Sequence, residues 1–352
     1  MIIKRVEIEN YRNFDMASAE FSKFNVLIGK NGTGKSNFLN AIMLPLRGTT
    51  LNGKPFDPYK DKRNIKADTT IKVWSELSEE ESTNIMPVNS ANIATGLLYQ
   101  LLSRDNTKDI WIKINQIGTP ITSSYTSVIS ATPERKITVE SSFRGEERDL
   151  LYGTFIYPVA DSREMPEVFQ SGMPRIATNL DFGNALLEMK LNFRDEYDNL
   201  IEEIKQISPE ISDILVHSHM TNAWEIQFKE ANINPILNVQ NISKGTREIA
   251  MMLVILELSH EKSTILIEEP EVHLYPLAIK KLKDIMLNHI KRKNLQLIIS
   301  THSEVFLMSD LDPVQNKDVK FFEFNKRNGV SSIIELKEDK EISEARDRLS
   351  IQ

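Results

Sequence analysis

The stretch Gly29-Lys30-Asn31-Gly32-Thr33-Gly34-Lys35-Ser36 constrains the fold of this chain more than any other segment. It has the form G-x-x-x-x-G-K-[ST]. The apolar run Phe24-Asn25-Val26-Leu27-Ile28 precedes it and the helical pattern Asn37-Phe38-Leu39-Asn40-Ala41-Ile42 follows. Strand, glycine-rich turn and helix in that order make a phosphate-binding loop. The glycines let the backbone curl until successive N–H groups face β- and γ-phosphates. Lys35 adds a positive charge, the Ser36 hydroxyl is a ligand for Mg²⁺, and the helix turns the positive end of its dipole toward the same anion. Asn31, Gly32, Thr33, Gly34, Lys35, Ser36 and Asn37 are the expected nucleotide-binding set.

Bulk properties narrow the class. At 352 residues, the chain can hold one large or two ordinary domains and bury a sizeable core. With 40% apolar and 26% charged residues it reads as an ordinary folded protein. A net charge of −7 argues against a general electrostatic grip on DNA, so a nucleic-acid site has to be a local patch or lie on a partner. Cysteine is absent, which excludes disulfides and thiolate metal sites and fits a reducing cytosol. The longest apolar run, Ile249 to Leu256, is too short to cross a bilayer, and Met1-Ile2-Ile3-Lys4-Arg5 reads into a strand rather than a signal peptide. A cytoplasmic location without membrane contact is expected.

Periodicity divides the chain. Ile2, Val6 and Ile8 share one strand face, interrupted only by Lys4; Met16 to Phe24 suits a second strand. Leu51 to Thr69 reads as an exposed loop, Thr70 to Trp74 as a strand, Asn92 to Leu102 as a helix and Ile110 to Ile114 as a strand. Further strands fit Ser127 to Ala131, Lys136 to Glu140 and Thr154 to Val159. Residues 185–206 form one long amphipathic helix or two, ending before Pro209, and Ile211 to Val216 pairs with Trp224 to Phe228 as a hairpin. Strand–helix–strand alternation follows, the pattern of a parallel α/β lobe. The expected domains are 1–184, a β-rich lobe with the phosphate loop; 185–218, a helical insertion or lid; and 219–352, a C-terminal α/β lobe. No repeat or sustained heptad array appears.

Three downstream strings point to the reaction. Thr264-Ile265-Leu266-Ile267-Glu268-Glu269-Pro270 is a buried strand ending in two carboxylates. Ligands bind at the carboxyl ends of parallel strands, so one carboxylate is placed to hold Mg²⁺ and the next to orient or deprotonate water. The competing explanation is a solvated glutamate pair. Leu297-Ile298-Ile299-Ser300-Thr301-His302-Ser303 is a second buried strand, with His302 placed to meet a γ-phosphate or the attacking water; the bland reading is a structural histidine. Ile242-Ser243-Lys244-Gly245-Thr246-Arg247-Glu248 opens an apolar helix. There Ser243 and Gly245 either cap the helix or bind phosphate, and the residues alone leave both open.

In this order the strings resemble the ATP-binding-cassette ATPases of the RecF, SMC and OLD-nuclease kind. Ile8-Glu9-Asn10-Tyr11-Arg12-Asn13-Phe14 is similar to their opening strand and turn, Gly29–Ser36 to Walker A and Ser243-Lys244-Gly245 to the signature motif. Ile265–Glu269 is similar to Walker B, continued as Glu-Pro-Glu-Val-His-Leu-Tyr-Pro over 269–276, and His302 to the switch histidine. The Glu-Glu-Pro-Glu-x-His-Leu form is closest to OLD-like ATPases, many of which serve in anti-phage defence beside a nuclease or other effector. The resemblance implies an α/β P-loop NTPase fold: an ABC ATPase head with a β-rich N-terminal lobe, a central parallel-sheet lobe and a short helical insertion. It implies ATP and Mg²⁺. Lys35 and the loop amides would bind β/γ-phosphate, Ser36 and Glu268 support Mg²⁺, Glu269 activate water and His302 sense the γ-phosphate. Arg12 would lie near the nucleotide. Ser243 and Gly245 would reach the ATP of a second subunit, so two ATP molecules would be sandwiched in a homodimer.

The chain departs from the pattern at three places. Glu268 stands where the family carries aspartate, the signature lacks a Ser-Gly-Gln ending, and no Q-loop glutamine is evident. Asp161 and Arg163 are better placed for that last role than Gln100 or Gln116. An ATPase controlling a nuclease or toxin partner is the leading expectation, and nuclease activity in this chain alone is not expected. A RecF-like DNA-repair ATPase is the alternative, and it needs a basic face built from Lys60, Lys62 and Arg63 or from Lys291, Arg292 and Lys293. A transporter subunit and a non-hydrolysing scaffold rank lower. His217 and His219 lack a third metal ligand. Trp74, Trp111 and Trp224 read as core or sheet-face residues, and 185–206 as an effector-docking stub.

Overall fold

The computed structural model describes residues 1–47, 50, 51, 54, 56–76, 96–103, 110–117, 126–131, 137–140, 156–159, 168–170, 182–220, 223–232, 235–307 and 317–350. In chain order it opens with β1 (Ile2–Tyr11), β2 (Phe14–Glu20), β3 (Phe24–Ile28), α1 (Lys35–Arg47), β4 (Thr69–Glu76), β5 (Gly96–Ser103), β6 (Ile110–Ile117), β7 (Thr126–Ala131) and β8 (Ile137–Glu140). There follow β9 (Ile156–Val159), β10 (Val168–Gln170), α2 (Phe182–Asn192), α3 (Arg194–Ile207), β11 (Ile211–Met220), β12 (Ala223–Glu230) and β13 (Leu237–Asn238). The remainder is α4 (Lys244–Leu258), β14 (Thr264–Glu268), α5 (Pro276–Lys293), β15 (Gln296–Thr301), β16 (Val319–Arg327), β17 (Val330–Leu336) and α6 (Asp339–Ser350). Two compact units result. One takes Met1–Ile156, Lys262–Glu268 and Leu295–Gln352, the other Tyr157–Glu261 and Glu269–Asn294.

The first unit holds two sheets. A seven-stranded sheet runs β2-β1-β4-β5-β6-β7-β8, with every pairing antiparallel. A second sheet runs β17-β16-β3-β15-β14, in which β14, β15, β3 and β16 are parallel and β17 turns back. β3 and β15 are buried along their whole lengths, as strands covered on both faces must be. α1 contacts β1, β4 and β5 of one sheet and β15 of the other. The buried amide of Gln296 also ties the sheets together, accepting from Ile3 N and donating to Ile3 O, both at 2.8 Å.

Two readings from periodicity change here. The β1–β4 register shifts between Ile3 and Arg5, so a bulge at Lys4 moves Ile3, not Ile2, onto the buried face with Val6 and Ile8. The segment read as a helix over Asn92 to Leu102 contains strand β5, paired to β4 on one side and β6 on the other. Its paired leucines suit either period, and two neighbouring strands with free backbone edges decide between them.

Among the described residues, the second unit packs four helices beside a small sheet. β11 and β12 form an antiparallel hairpin, with β10 and β13 pairing to β12. The amphipathic segment is two helices broken at Phe193, and α3 buries Tyr197, Leu200, Ile201, Ile204 and Ile207. Burial pushes the Tyr197 phenol far above the ordinary tyrosine range, with Asp213 adding to the rise, so it stays protonated and donates to Asp213 Oδ1 at 2.9 Å. A charged network joins α3, α4 and α5. His289 is fully buried, with Nε2 at 2.9 Å from Glu203 and Nδ1 at 3.1 Å from Arg292, which also donates to buried Glu257 at 2.6 Å. Glu203, Glu257 and His289 lie close enough together to hold a metal ion. Arginine has no acceptor, so Nδ1 must accept and Nε2 carries the proton donated to Glu203. The group is an ion-pair network in which Glu257 Oε2 lies 3.7 Å from Lys293 Nζ and has no hydrogen-bond partner. Among the described residues no helix is long and apolar enough to cross a membrane.

α1 is locked from one side by aromatic rings. Phe38 is fully buried, with Phe14, Phe21 and Phe324 at centroid distances of 6.0, 6.2 and 5.5 Å. Phe38→Ala is expected to cost about 3–5 kcal/mol, read as a lowered thermal or urea midpoint, with Phe38→Leu much milder.

Candidate nucleotide site

The parallel sheet brings three motif-bearing strand ends to one edge. β15 pairs with β3 so that Thr301 faces Ile28, and with β14 so that Ser300 faces Glu268. The carboxyl ends of neighbouring strands therefore carry Gly29 and its loop, His302, and Glu268. Adjacent strands lie about 4.8 Å apart, so β3 and β14 are separated by about 10 Å, with β15 between them. His302 is exposed, Glu268 is half-buried and Ser36 is exposed. Ser300 is fully buried, and its hydroxyl has no hydrogen-bond partner.

The loop itself is a tight ring. Lys35 is 5% exposed, and its ammonium donates to Gly29 O at 2.6 Å and Lys30 O at 3.3 Å. Thr33 closes the turn by donating through Oγ1 to Lys30 O at 2.7 Å. Gly34 sits at φ +109°, and a Cβ there would lie 2.2 Å from Asn13 Nδ2. Gly32, at φ +77°, has open space around it. A buried ammonium within a ring of backbone, an adjoining hydroxyl and a nearby carboxylate are the donor set a magnesium-bound polyphosphate requires.

Arg12 and Asn13 form the two-residue turn between β1 and β2, where Tyr11 pairs with Phe14. Arg12 adopts φ +46°, a region uncommon for a residue with a Cβ. Its Nε donates to Asp61 Oδ1 and its NH1 to Asn37 Oδ1, both at 2.8 Å. Asn37 donates to Asn13 Oδ1 at 2.6 Å, which ties the turn to the first turn of α1. Burial pushes the neighbouring Tyr11 phenol well above the ordinary range, against the opposing pull of Arg12. Asn13, Asp61, Ser300 and Ser331 were not singled out from the sequence. Asn13 lay within the opening motif, whereas Asp61 and Ser331 carried no local signal.

In the second unit, Glu269 follows Glu268 directly and takes φ +46°; His273 takes φ +64°. The segment between them is a compact turn, with Val272 N donating to Glu269 O at 3.1 Å and Leu274 N to Glu271 O at 3.0 Å. Gly245 packs against this turn, and a Cβ there would meet His273 O at 2.6 Å. Ser243 caps α4, accepting from Thr246 N at 3.1 Å, so the capping explanation holds at this serine. Ser243 is exposed and Gly245 buried. His273 Nδ1 lies 3.1 Å from Glu248. Asp161 and Arg163 lie outside the described residues. Gln100 and Gln116 are on β5 and β6, but their side chains are outside the description, as are those of Trp111, His219 and Trp224. Trp74 lies on β4 with the Arg5 guanidinium 5.3 Å from its ring centroid, a sheet-face position.

A parallel sheet presenting a glycine-rich loop, a carboxylate and a histidine at one edge defines a P-loop NTPase with an ABC-type ATPase head. The chain belongs to the family described as "AAA domain, putative AbiEii toxin, Type IV TA system", which it matches over residues 24–309. It is 25% identical over 338 residues to Old nuclease of Escherichia phage P2, an alignment covering 86% of this chain and 56% of that protein. It is 54% identical over 43 residues to the DNA replication and repair protein RecF of Phocaeicola vulgatus, 12% of each chain. The chain thus spans about half the length of Old nuclease and a small part of RecF. Two crystal structures share the fold. The SMC head bound to the C-terminal winged-helix domain of ScpA has TM-score 0.63 at 16% identity, covering 97% of this chain and 100% of that one. The Pyrococcus furiosus Smc head with an extended coiled coil, bound to the C-terminal domain of ScpA, has TM-score 0.63 at 15% identity and covers 99% of each. These likenesses are those of an OLD/RecF/SMC-like ATPase head.

Gly34→Ala tests the loop. With a left-handed φ and Asn13 already in contact, the added methyl has to displace the loop. ATP binding by titration calorimetry is expected to weaken at least about tenfold, with an unchanged circular dichroism spectrum.

Proposed function

We propose that this chain binds and hydrolyses ATP, and that ATP-dependent pairing of two heads controls an effector, a nuclease or toxin, in bacterial anti-phage defence. The observation that carries the reading is the meeting of the Gly29 loop, His302 and Glu268 at neighbouring strand ends of one sheet. Lys35 and the loop amides bind the β- and γ-phosphates. Mg²⁺, held by the oxygens of Ser36 and Glu268, supplies positive charge beside the polyphosphate when bound. Glu268 carries one methylene more than the family's aspartate, which would weaken a direct contact with Mg²⁺ or favour a water-bridged one. Glu269, which follows Glu268 with a left-handed backbone, takes the proton of the attacking water. His302 contacts the γ-phosphate or that water. Ser243 and Gly245, at the positive end of α4, reach the nucleotide of the second copy. The likeness to Old nuclease and the toxin named in the family description support a defence setting.

Both basic clusters of the DNA-binding alternative are partly committed to ion pairs, while Lys291, Arg292 and Lys60 stay exposed. Arg292 and Lys293 are held by Glu257, and burial lowers the Lys293 pKa, opposed by that carboxylate. Arg63 pairs with Asp15 and donates to Gly329 O at 2.9 Å, Lys60 lies 3.7 Å from Asp57, and Lys62 is buried. Replacing Arg292 and Lys293 by alanine is expected to lower the melting temperature and leave any DNA retention unchanged. A loss of salt-dependent DNA binding at an unchanged melting temperature would restore the alternative.

ATP turnover is expected to fall by at least about a hundredfold in Glu269→Gln, consistent with loss of a general base. Light scattering on that variant with ATP and Mg²⁺ should give twice the monomer mass, and Lys35→Ala should give the monomer mass. A Glu269→Gln protein that turns over ATP at the wild-type rate would overturn the catalytic assignment.

A further inference from the structure

Walker A loops are usually described by what they offer the nucleotide. Here the outer side of the loop is held by a continuous hydrogen-bonded chain within the first unit. It begins at Asp61, which is 5% exposed and whose Oδ2 accepts from Asp57 N at 2.8 Å. Asp61 Oδ1 accepts from Arg12 Nε, and Arg12 NH1 donates to Asn37 Oδ1. Arginine only donates, so the oxygen of Asn37 must face it and the Asn37 amide nitrogen must face away. That nitrogen donates to Asn13 Oδ1 at 2.6 Å, which in turn fixes the Asn13 amide. Asn13 Nδ2 then donates to Ser331 Oγ and, at 3.3 Å, to Thr33 O. Ser331 Oγ, its lone pair used by Asn13, sends its single proton to Thr33 O at 2.5 Å. Every amide orientation in the chain follows from the single arginine at its head.

The chain ends on the carbonyl of the peptide that joins Thr33 to Gly34. A peptide is planar and trans, so its carbonyl and its N–H point in opposite directions. Two donors on the outer side of the loop hold Thr33 O outward and thereby turn the Gly34 N–H inward. We propose that Ser331 and Asn13 are positioning residues for nucleotide binding, aiming the Gly34 amide at the polyphosphate through the Thr33 carbonyl. Three further facts support a built brace rather than an incidental contact. Ser331 is 1% exposed, and its backbone N–H donates to Asn13 O at 2.8 Å, which fixes the β17 strand to the β1–β2 turn. Gly34 packs so closely that an added Cβ would lie 2.2 Å from Asn13 Nδ2 and 3.0 Å from Ser331 Oγ. The other end of the loop rests on the same hairpin, where a Cβ on Gly29 would meet Phe324 O at 2.5 Å. The β16–β17 hairpin therefore forms the floor of the loop.

This inference rests on the nucleotide-site reading above, and one experiment separates the two. Binding of a fluorescent ATP analogue to the full chain is measured for wild type, Lys35→Ala, Ser331→Ala, Ser331→Thr and Asn13→Asp, with the nucleotide-free melting temperature of each. Removing one hydrogen bond from a buried carbonyl corresponds to roughly tenfold in an equilibrium constant. Ser331→Ala is expected to weaken binding by about that factor, raising KM for ATP, with only a small change in melting temperature. Ser331→Thr, which keeps the hydroxyl, should restore tight binding. Asn13→Asp keeps the shape but cannot donate to Thr33 O and draws the Ser331 proton to itself. It should weaken binding to a similar extent and gives the answer if Ser331→Ala does not fold. Folded Ser331→Ala or Asn13→Asp protein that binds like wild type overturns the brace. Wild-type protein that binds no analogue, or binds it equally well as Lys35→Ala, overturns the nucleotide site and the brace together.

Discussion

A parallel strand can hand its chain to a loop only at its carboxyl end, and that end must emerge from a sheet buried on both faces. β3, β15 and β14 obey this constraint side by side, mostly apolar strands that are buried except at Glu268 and that end in the loop or in polar tips. Their burial leaves no freedom to slip, because the register is fixed by Thr301 against Ile28 and Ser300 against Glu268. The glycine loop, the histidine and the carboxylate are neighbours because the sheet permits no other arrangement of these strands.

The loop is supported as firmly as the sheet. An anion-binding loop needs several N–H groups pointing inward at once, which its own backbone does not enforce. The β16–β17 hairpin and the β1–β2 turn supply the missing constraint from opposite sides of the sequence, and α1 is held behind them by the Phe14, Phe21, Phe38 and Phe324 rings. Such bracing preorganises the site, so less conformational entropy is lost when a polyphosphate enters. Arg12 anchors this brace, being fixed to buried Asp61 on one side and to Asn37 in the first helical turn on the other.

Charge is handled differently in the second unit. Glu203, Glu257, His289, Arg292 and Lys293 neutralise one another among three helices, and the lysine also caps the carbonyls at the end of α4. Two residues of the basic run 291–293, Arg292 and Lys293, thus tie α5 to α4 through Glu257. A buried network of this kind adds little net stability but penalises any packing that breaks it. This favours one arrangement of the helices that carry Gly245 and follow Glu269.

By itself the sequence determined the class of protein. The loop spacing, the apolar strands with their polar tips and the order of the four motifs are local patterns, legible because glycine, buried strands and helix starts each leave a short-range signature. The hairpin of β16 and β17 closes on Asn328 and Gly329, an Asn-Gly pair that supplies the two positive φ angles a tight turn needs. Tertiary structure alone decided the strand at Gly96–Ser103, the bulge at Lys4, the fate of Arg292 and Lys293, and the choice of Asp61 and Ser331 as supports. The physical reason is range. Ser331 and Thr33 are 298 positions apart, and a hydrogen bond over that separation imposes no periodicity on either segment. Only the folded sheet brings the donor to its carbonyl.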